Sequence, residues 1–293
     1  MRMGVMGATG YAGGELLRLC ASHPDLNVLV ATGGSSAGKS IAQHIPSLAG
    51  AYPDLVVQPP SAILDGDLDV VFLCLPHGES QEFVPSLLER HVQVVDLGAD
   101  YRLRDPDLYP TWYARPFIDA NVIERDKLVV DALSGVSGAG RAMSERLQFS
   151  RLAANAEAYG LLSHRHTPEM EQEIGATVLF TPHLVPVARG MLVTAYARVS
   201  AALSSEDALA MLRESYALDP CVVVVDDPPT LKDPLGSNLC FVSARVDERT
   251  GWLVAMSSLD NLTKGAAGQA IQAWNVSSGR DETLGLPLAG VSP

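Results

Sequence analysis

The 293-residue sequence is short of several features, and each shortage excludes a class of protein. It holds 21 lysines and arginines against 34 aspartates and glutamates, a formal net charge of -13, which argues against a nucleic-acid partner because such a surface needs clustered cations. No apolar run is long enough to span a bilayer, so no membrane partner is expected. The opening MRMGVMGATGYAGG is too short and too rich in glycine for a secretory signal. The four cysteines are far apart and in no metal-binding spacing, which is typical of reduced thiols in a cytoplasmic protein.

What is present is enough apolar sequence for a large core. Hydrophobic residues make up 47% of the chain and charged residues 19%, so global disorder is not expected. Short apolar runs of strand length, RMGVMG, LNVLVAT, DVVFLCLP and VQVVDLG, alternate with helical segments through about residue 100, one of them Glu79 to Arg90. Continuous apolar runs of this length are typical of parallel strands buried on both faces. The pattern predicts a Rossmann-type, doubly wound α/β domain.

From about Lys127 the pattern changes to strands with one clear helix among them, Ser205 to Tyr216. This predicts an α+β domain with a mostly antiparallel sheet. A last helix, Gly265 to Trp274, is expected to return to the first domain. The sequence therefore predicts a dinucleotide-binding domain at 1–114 together with about 262–293, and a substrate domain at 115–261.

A glycine-rich turn follows the first strand and precedes the first helix. Gly7, Gly10 and Gly13 have the spacing G-x-x-G-x-x-G. Glycines permit the tight turn and let backbone amides approach a pyrophosphate at the helix N-terminus. These glycines, with Thr9 and Tyr11 between them, are predicted to bind a dinucleotide; the alternative is a glycine turn without a ligand.

The segment after the second strand, ATGGSSAGKS, indicates which dinucleotide is bound. An NAD-binding site wants a carboxylate there for the ribose hydroxyls, whereas this segment offers Ser35, Ser36 and Lys39. Hydroxyls and a cation suit a 2′-phosphate, so NADP(H) is favoured over NAD. Pro76 in CLPHGES and Asn261 in DNLTKGAAGQAIQAWN are predicted to lie near the nicotinamide; an ordinary loop and an amphipathic closing helix are the alternatives.

Two further clusters carry chemistry in the second half of the chain. ALSGVSGAGR offers Ser134, Ser137 and Arg141 for an anion such as a phosphate or carboxylate, with a flexible loop as the alternative. LLSHRHTPEMEQE places His164 and His166 one residue apart. Three interpretations are open for this pair: metal ligands with a nearby glutamate, structural histidines, or a catalytic base. Since no third ligand stands at a recognisable spacing, no metal site is predicted.

These segments together resemble the N-acetyl-gamma-glutamyl-phosphate reductase family of the semialdehyde dehydrogenase superfamily. The matching stretches run in order along nearly the whole chain: GATGYAGGELLRL, LPHGES, DLGADYRLRDPDLY, SGVSGAGR, AYGLLSHRHTPEMEQE, FTPHLVPVARGML, GSN and DNLTKGAAGQAIQ. The resemblance implies a Rossmann domain plus an α+β catalytic domain like that of glyceraldehyde-phosphate and aspartate-semialdehyde dehydrogenases. It implies reversible, NADPH-dependent reduction of N-acetyl-gamma-glutamyl phosphate to N-acetylglutamate 5-semialdehyde in arginine biosynthesis. The expected partners are that substrate, phosphate and further copies of the chain in a dimer or tetramer.

The resemblance also implies roles for residues. A thiolate attacks the acyl phosphate, phosphate leaves, and the resulting thioester accepts a hydride, while a histidine activates the thiol. His164 matches the family's catalytic histidine by its position in SHRHTPE. Arg165, His166 and the SGVSGAGR loop fall where the anionic groups of the substrate are expected to bind. The sequence leaves open whether that substrate is the acetylglutamyl compound or its one-carbon-longer aminoadipyl analogue.

The chain departs from the family at the nucleophile. The family carries a cysteine in a motif like NPGCYPT, between the DYRLRDPxxY segment and SGVSGAGR. Here the text matches before Tyr113 and after Arg115, but the cysteine segment is absent. Three explanations are open: a genuine deletion that leaves a nucleotide-binding pseudoenzyme or regulatory relative, residues of the natural protein missing from this chain, or substitution by another residue such as Cys74. Loss of the segment predicts altered packing near Tyr113 to Phe117.

Overall fold

The computed structural model of the chain describes residues 1–98, 100–102, 128–199 and 202–291. The chain divides into two compact units. The first comprises Met1–Tyr101 with Gly265–Pro287, and the second comprises Arg102–Lys264 with Leu288–Pro293. The predicted boundary between residues 114 and 115 lies outside the described residues, and so does the altered packing predicted at 113–117.

The strands and helices are as follows along the chain. The strands are β1 (Arg2–Met6), β2 (Asn27–Thr32), β3 (Val57–Gln58), β4 (Val70–Leu73), β5 (Gln93–Asp96), β6 (Leu128–Gly135), β7 (Glu157–Ala158), β8 (Val178–Val185), β9 (Met191–Arg198), β10 (Val222–Val224), β11 (Cys240–Asp247) and β12 (Trp252–Leu259). The helices are α1 (Tyr11–Cys20), α2 (Ile41–His44), α3 (Ala62–Asp65), α4 (Val84–Glu89), α5 (Phe149–Leu152), α6 (Thr167–Ile174), α7 (Ser205–Ser215) and α8 (Gly268–Ser277), the last preceded by a π-helical turn at Thr263–Ala267.

The first unit is a parallel sheet in the order β3-β2-β1-β4-β5. Every residue of β4 is buried, because helices cover both faces of the sheet. On one face, Leu16 of α1 and Trp274 of α8 pack with residues of β1; on the other, Leu87 of α4 packs with Val71 and Leu73. The predicted doubly wound α/β fold is confirmed.

The order of the sheet fixes where a ligand would bind. β1 lies between β2 and β4, so the chain leaves β1 toward one side and later crosses to the other. In open α/β sheets, ligands bind at the carboxyl ends of the strands beside such a reversal. Gly7 directly follows β1, and Cys74 directly follows β4; a Cβ on Gly7 would lie 2.3 Å from the Cys74 carbonyl oxygen. The predicted cofactor residues of the first unit thus follow β1, β2 and β4 at one edge.

The helix predicted from Glu79 to Arg90 is wrong in one respect, because the structure breaks it. A 3-10 turn covers Ser80–Glu82, and α4 starts afresh at Val84. Pro85 lies in the first turn of α4, where a missing N–H group loses no helical hydrogen bond. Within a continuous helix the same proline would remove a bond and crowd the preceding turn.

The second unit is a seven-stranded sheet in the order β10-β11-β12-β9-β6-β8-β7. β10 pairs with β11, and β6 with β8, in parallel; the other neighbours are antiparallel, so the predicted mostly antiparallel sheet is confirmed. The prediction of a single helix among the strands is wrong, since α6 packs on β8 through Met170 and Ile174. This helix begins with Thr167 and Pro168, and its apolar face is narrow because only Met170 and Ile174 are large apolar residues, while glutamates fill three of its eight positions.

The face of this sheet opposite α6 is incompletely covered. Its residues alternate with those of the α6 face and include Val129, Tyr196, Val254 and Met256, all half-buried, while Leu179 is 50% exposed.

Among the described residues, no helix combines the length and apolar character needed to cross a membrane.

Candidate active site

The glycine-rich turn of the first unit has the form that a dinucleotide requires. Gly7 has φ +69°, and a Cβ on Gly13 would lie 2.3 Å from the Gly7 carbonyl oxygen, so neither position has room for a side chain. No side chain caps the start of α1, where Gly10 is the N-cap. The first N–H groups of the helix are therefore open to an anion such as a diphosphate. Tyr11, the first residue of α1, is exposed.

The segment after β2 brings two predicted cofactor residues together. The side-chain oxygens of Thr9 and Ser36 lie 3.2 Å apart, and the His44 ring nitrogen Nε2 lies 3.3 Å from the Ser36 carbonyl oxygen. Ser35 and Lys39 are exposed beside them in the same loop. Hydroxyl groups and a cation at the end of β2 suit a 2′-phosphate better than free ribose hydroxyls.

The loop after β4 carries the predicted nicotinamide contact, Pro76, and the cysteine considered as a substitute nucleophile. Pro76 is exposed. Burial, together with the neighbouring carboxylate of Asp96, raises the pKa of the Cys74 thiol to about 12. Burial also raises the pKa of Cys240 to about 11 and that of Cys20 further still. All four cysteines are free, but these three thiols are held in the neutral form, which is a poor nucleophile.

In the second unit, one amide side chain ties together three segments. Asn261 donates from Nδ2 to the Ser137 hydroxyl at 2.9 Å, and its Oδ1 accepts the Gly190 N–H at 2.7 Å. Ser134, at the end of β6, is buried, and its hydroxyl lies 3.4 Å from the Gly135 carbonyl oxygen. Asn261 therefore holds the predicted anion-binding loop in place; its predicted contact with a nicotinamide stays a prediction. Arg141, the last residue of that loop, is exposed.

A buried carboxylate next to Asn261 was missed by the sequence analysis. Asp260 is fully buried, and its Oδ1 pairs with the Arg189 guanidinium at 3.0 Å. The same carboxylate accepts backbone N–H groups of Gly236 at 2.8 Å, Leu262 at 2.9 Å and Thr263 at 3.1 Å. Arg189, which could have been expected to bind a ligand anion, is thus engaged by a carboxylate of the protein itself.

The geometry of His164 fixes which ring nitrogen carries its proton. Nδ1 of His164 accepts the backbone N–H of His166 at 3.1 Å, so in the neutral ring the proton is on Nε2. The ring packs edge-on against Tyr159 and Phe180, with centroids 5.5 and 5.1 Å away. Burial, and then the positive charge of Arg165, lowers the pKa of His164 to about 4. The near-neutral pKa expected of a base is therefore not what the structure gives: the ring is neutral at pH 7 and presents an N–H group.

The protonation state of His164 is directly measurable. In ¹⁵N-detected NMR of the unaltered chain we expect a neutral ring with its proton on Nε2 at pH 7, titrating near pH 4. Arg165→Ala should move the pKa of His164 upward, because a nearby positive charge is removed. A proton on Nδ1, or titration at the ordinary value of 6.5, would contradict this geometry.

Metal binding is one of the three interpretations of the histidine pair. In the part of the chain that the structure describes, no group of three or more histidine, cysteine, aspartate or glutamate side chains is placed to hold a metal ion. Glu169, the nearby glutamate, is buried in α6 with one carboxylate oxygen 3.7 Å from the Arg102 guanidinium.

The chain has the two domains of a semialdehyde dehydrogenase. The model for the semialdehyde dehydrogenase NAD-binding domain matches residues 2–147, and that for the semialdehyde dehydrogenase dimerisation domain matches residues 110–261. Aspartate semialdehyde dehydrogenase II of Vibrio cholerae shares the fold, with a TM-score of 0.70 at 17% identity over 95% of this chain and 98% of that one. So does the Candida albicans aspartate semialdehyde dehydrogenase solved with NADP, with a TM-score of 0.67 at 20% identity over 94% and 98%.

Relatives that are more similar in sequence show which family of semialdehyde dehydrogenases the chain belongs to. N-acetyl-gamma-glutamyl-phosphate reductase of Desulforamulus reducens is 35% identical over 100% of this chain and 100% of its own length. The enzyme of that name from Symbiobacterium thermophilum is 38% identical over 99% and 98%. The chain belongs to the N-acetyl-gamma-glutamyl-phosphate reductase family.

The alignment also measures what the chain lacks. It extends over 345 positions with the Desulforamulus reducens relative, whereas the chain has 293 residues. About 52 positions (345 minus 293) therefore face a gap in this chain. The place assigned above to the missing cysteine segment, between Tyr113 and Arg115, lies outside the described residues.

Proposed function

We propose that the chain is a reductase that converts N-acetyl-gamma-glutamyl phosphate reversibly to N-acetylglutamate 5-semialdehyde with NADPH, in arginine biosynthesis and in the cytoplasm, and that its full rate requires the cysteine segment that is absent between Tyr113 and Arg115. The observation that carries this proposal is the identity of 35% and 38% to reductases of that name along essentially the whole chain. The relatives favour this enzyme over the nucleotide-binding relative without activity. The test is reduction of NADP by the chain with and without that cysteine segment, in the presence of N-acetylglutamate semialdehyde and phosphate, with phosphate omitted as the control and the aminoadipyl semialdehyde as the competing substrate.

The chemistry requires a group that the described residues do not supply. An acyl phosphate loses phosphate to a nucleophile before a hydride can reach the acyl carbon. The dinucleotide, when bound, supplies that hydride. Burial raises the pKa values of Cys20, Cys74 and Cys240, and Cys221 is buried. We therefore propose that the nucleophile of the reaction is the cysteine of the segment that is absent between Tyr113 and Arg115.

His164 is proposed to act through its Nε2–H group. A neutral imidazole with a proton on Nε2 donates a hydrogen bond to an oxyanion that forms on the acyl carbon, and that bond strengthens as negative charge develops. For the anionic groups of the substrate we propose Arg165 and His166, together with Ser134, Ser137 and Arg141. Ser137 is supported in this role by the amide of Asn261, which fixes the position of its hydroxyl.

We infer that NADP(H) is the cofactor rather than NAD(H). The support is chemical: Ser35, Ser36 and Lys39 present hydroxyls and a cation after β2, and the strand ends in Thr32 rather than in a carboxylate. The hydroxyl of Ser36 lies 3.2 Å from that of Thr9, which belongs to the glycine-rich turn. One ligand would therefore contact both segments.

Removal of the Lys39 charge tests this preference. We expect Lys39→Ala to raise the Kd for NADPH roughly fivefold and to leave the Kd for NADH unchanged, because only the 2′-phosphate faces the lysine. Titration calorimetry of both ligands against both proteins measures the difference. An equal loss of affinity for both ligands would show that Lys39 does not contact the 2′-phosphate. Tighter binding of NADH than of NADPH by the unaltered chain would show that the cofactor is NAD(H).

We also propose that the protein is a homo-oligomer, formed through the half-covered face of the seven-stranded sheet. That face carries Tyr196, Val254 and Met256 beside the exposed Leu179. A contiguous apolar sheet face of this kind is stabilised when a second copy covers it. The match of residues 110–261 to a dimerisation domain supports a dimer as the basic unit.

A further inference from the structure

The loop after β4 is held by the carboxylate of Asp100, a residue that follows β5 in the chain. The side chain of Asp100 accepts three backbone N–H groups, from Gly78 at 2.6 Å, Ser80 at 2.9 Å and Gln81 at 3.3 Å. N–H groups at the start of a helical segment have no partner within the segment. One carboxylate thus satisfies the donors of a turn and of the 3-10 helix that follows it.

A second carboxylate holds the same stretch from β5. Asp96, the last residue of β5, accepts the Ser80 hydroxyl at 3.0 Å and the Gly98 N–H at 2.7 Å. Ser80 is fully buried. A Cβ on Gly98 would lie 2.8 Å from the Asp96 carboxylate, so a side chain there would displace that carboxylate. Asp96 and Asp100 therefore fix residues 78–81 from two sides, although nothing in the local sequence marks either carboxylate for this role.

The stretch they fix lies at the ligand edge of the sheet. It follows Cys74, whose carbonyl oxygen lies close to the glycine-rich turn at Gly7. The exposed Pro76 precedes it and accepts the Glu79 N–H through its carbonyl oxygen at 3.3 Å. Gly78 has φ +90°, a conformation that other residues adopt only with strain, and open space surrounds its Cβ position. An exposed turn built on a flexible glycine keeps one shape when its backbone N–H groups are bonded.

We propose that Asp100 is a positioning residue, which holds the Pro76–Gly78 turn in the shape that receives the nicotinamide half of the cofactor. The inference rests on the proposed function, because it takes NADP(H) as the ligand of this edge. Asp100 does not touch the ligand in this role. Its effect is transmitted through the three N–H groups that it accepts, whereas the adenosine half is bound by the separate segment at Ser35, Ser36 and Lys39.

Comparing NADPH with a ligand that carries only its adenosine half distinguishes this role from a general effect on folding. Adenosine 2′,5′-bisphosphate carries the adenosine and the 2′-phosphate but no nicotinamide. We expect Asp100→Ala to raise the Kd for NADPH roughly tenfold and to leave the Kd for adenosine 2′,5′-bisphosphate within twofold of the unaltered chain. Asp100→Asn keeps one acceptor oxygen, so its Kd for NADPH should lie between that of the unaltered chain and that of Asp100→Ala. Titration calorimetry on the full chain measures all of these constants.

A second variant disturbs the turn without touching the carboxylate. Gly78→Ala strains the backbone at φ +90°, and it should reproduce the selective loss of NADPH affinity. Asp67→Ala is the matched control, since this carboxylate is 85% exposed, pairs with Arg2 and precedes β4 at the opposite end of the strand; it should change neither constant.

Each failure has a distinct meaning. Equal weakening of both ligands by Asp100→Ala would show a folding role and overturn the proposal, as would unchanged binding of NADPH by both Asp100→Ala and Gly78→Ala. If the unaltered chain bound neither ligand, the proposed function itself would fall, and this inference with it.

Discussion

Insertion of the relatives' cysteine segment between Tyr113 and Arg115 is expected to raise phosphate-dependent reduction of NADP by a factor on the order of 10⁴ or more. Loss of a covalent nucleophile removes a whole reaction step, and effects of this size are usual when that group is absent. The thiols of Cys20, Cys74 and Cys240 cannot replace it at neutral pH, because their pKa values are raised. The rates of the unaltered and the extended chain, measured with N-acetylglutamate semialdehyde, phosphate and NADP, give the factor.

A matched control separates chemistry from packing. The same insertion with serine in place of its cysteine restores the length and the apolar contacts of the segment but not the thiolate, so it should remain near the rate of the unaltered chain. Two results would contradict the prediction. Equal rates for the cysteine and serine insertions would remove the role of the thiol, and a high rate in the unaltered chain would place the nucleophile elsewhere.

The second large effect is expected from Asp260→Ala. This carboxylate is fully buried and joins the Arg189 guanidinium to the backbone N–H groups of Gly236, Leu262 and Thr263. Removing it leaves a charged group and three donors without their acceptor. The free energy of unfolding should fall by about 3 kcal/mol or more, as is usual when one partner of a buried ion pair is lost. Urea denaturation of the full chain, followed by circular dichroism, measures the change.

Two comparison variants sharpen the stability test. Asp260→Asn keeps the shape and one acceptor oxygen, so its loss should be smaller than that of the alanine variant. Asp226→Ala removes a carboxylate that is 76% exposed and pairs with Arg213 in the same unit, and it should change stability little. An Asp260→Ala protein as stable as the unaltered chain would show that the Arg189 pair is not part of what holds the unit together.

The sequence predicted the first unit well because its signals are local. A run such as that of β4, apolar at every position, is typical of a parallel strand with both faces covered, and the structure buries all four residues. The spacing of Gly7, Gly10 and Gly13 has a steric cause within the turn itself, since a Cβ on Gly13 would meet the Gly7 carbonyl oxygen. Patterns of this kind are visible in one stretch of sequence and need no knowledge of distant residues.

The features that were missed depend on residues far apart in the chain. Asp100 bonds to a turn some twenty residues earlier, and Asp260 to Arg189 seventy-one residues away; nothing in the local sequence marks either carboxylate as an acceptor for backbone groups. Helix α6 was obscured by its glutamates and by the histidines before it, since only Met170 and Ile174 give it a clear apolar spacing. The proton position on His164 follows from a single backbone N–H group, a geometric detail that residue types do not carry.

The most direct measurement is a calorimetric titration of the unaltered chain with NADPH, repeated with Gly10→Val. The N-cap Gly10 has φ -72°, which any residue adopts, and a Cβ there meets only the Gly7 carbonyl oxygen, at 3.3 Å. The variant should therefore fold while its side chain obstructs the approach of a diphosphate to the start of α1. We expect the unaltered chain to bind NADPH with a Kd on the order of micromolar and Gly10→Val to bind it at least about a hundredfold more weakly. Absence of NADPH binding by the unaltered, folded chain, or equal binding by both proteins, would contradict a dinucleotide site at this turn.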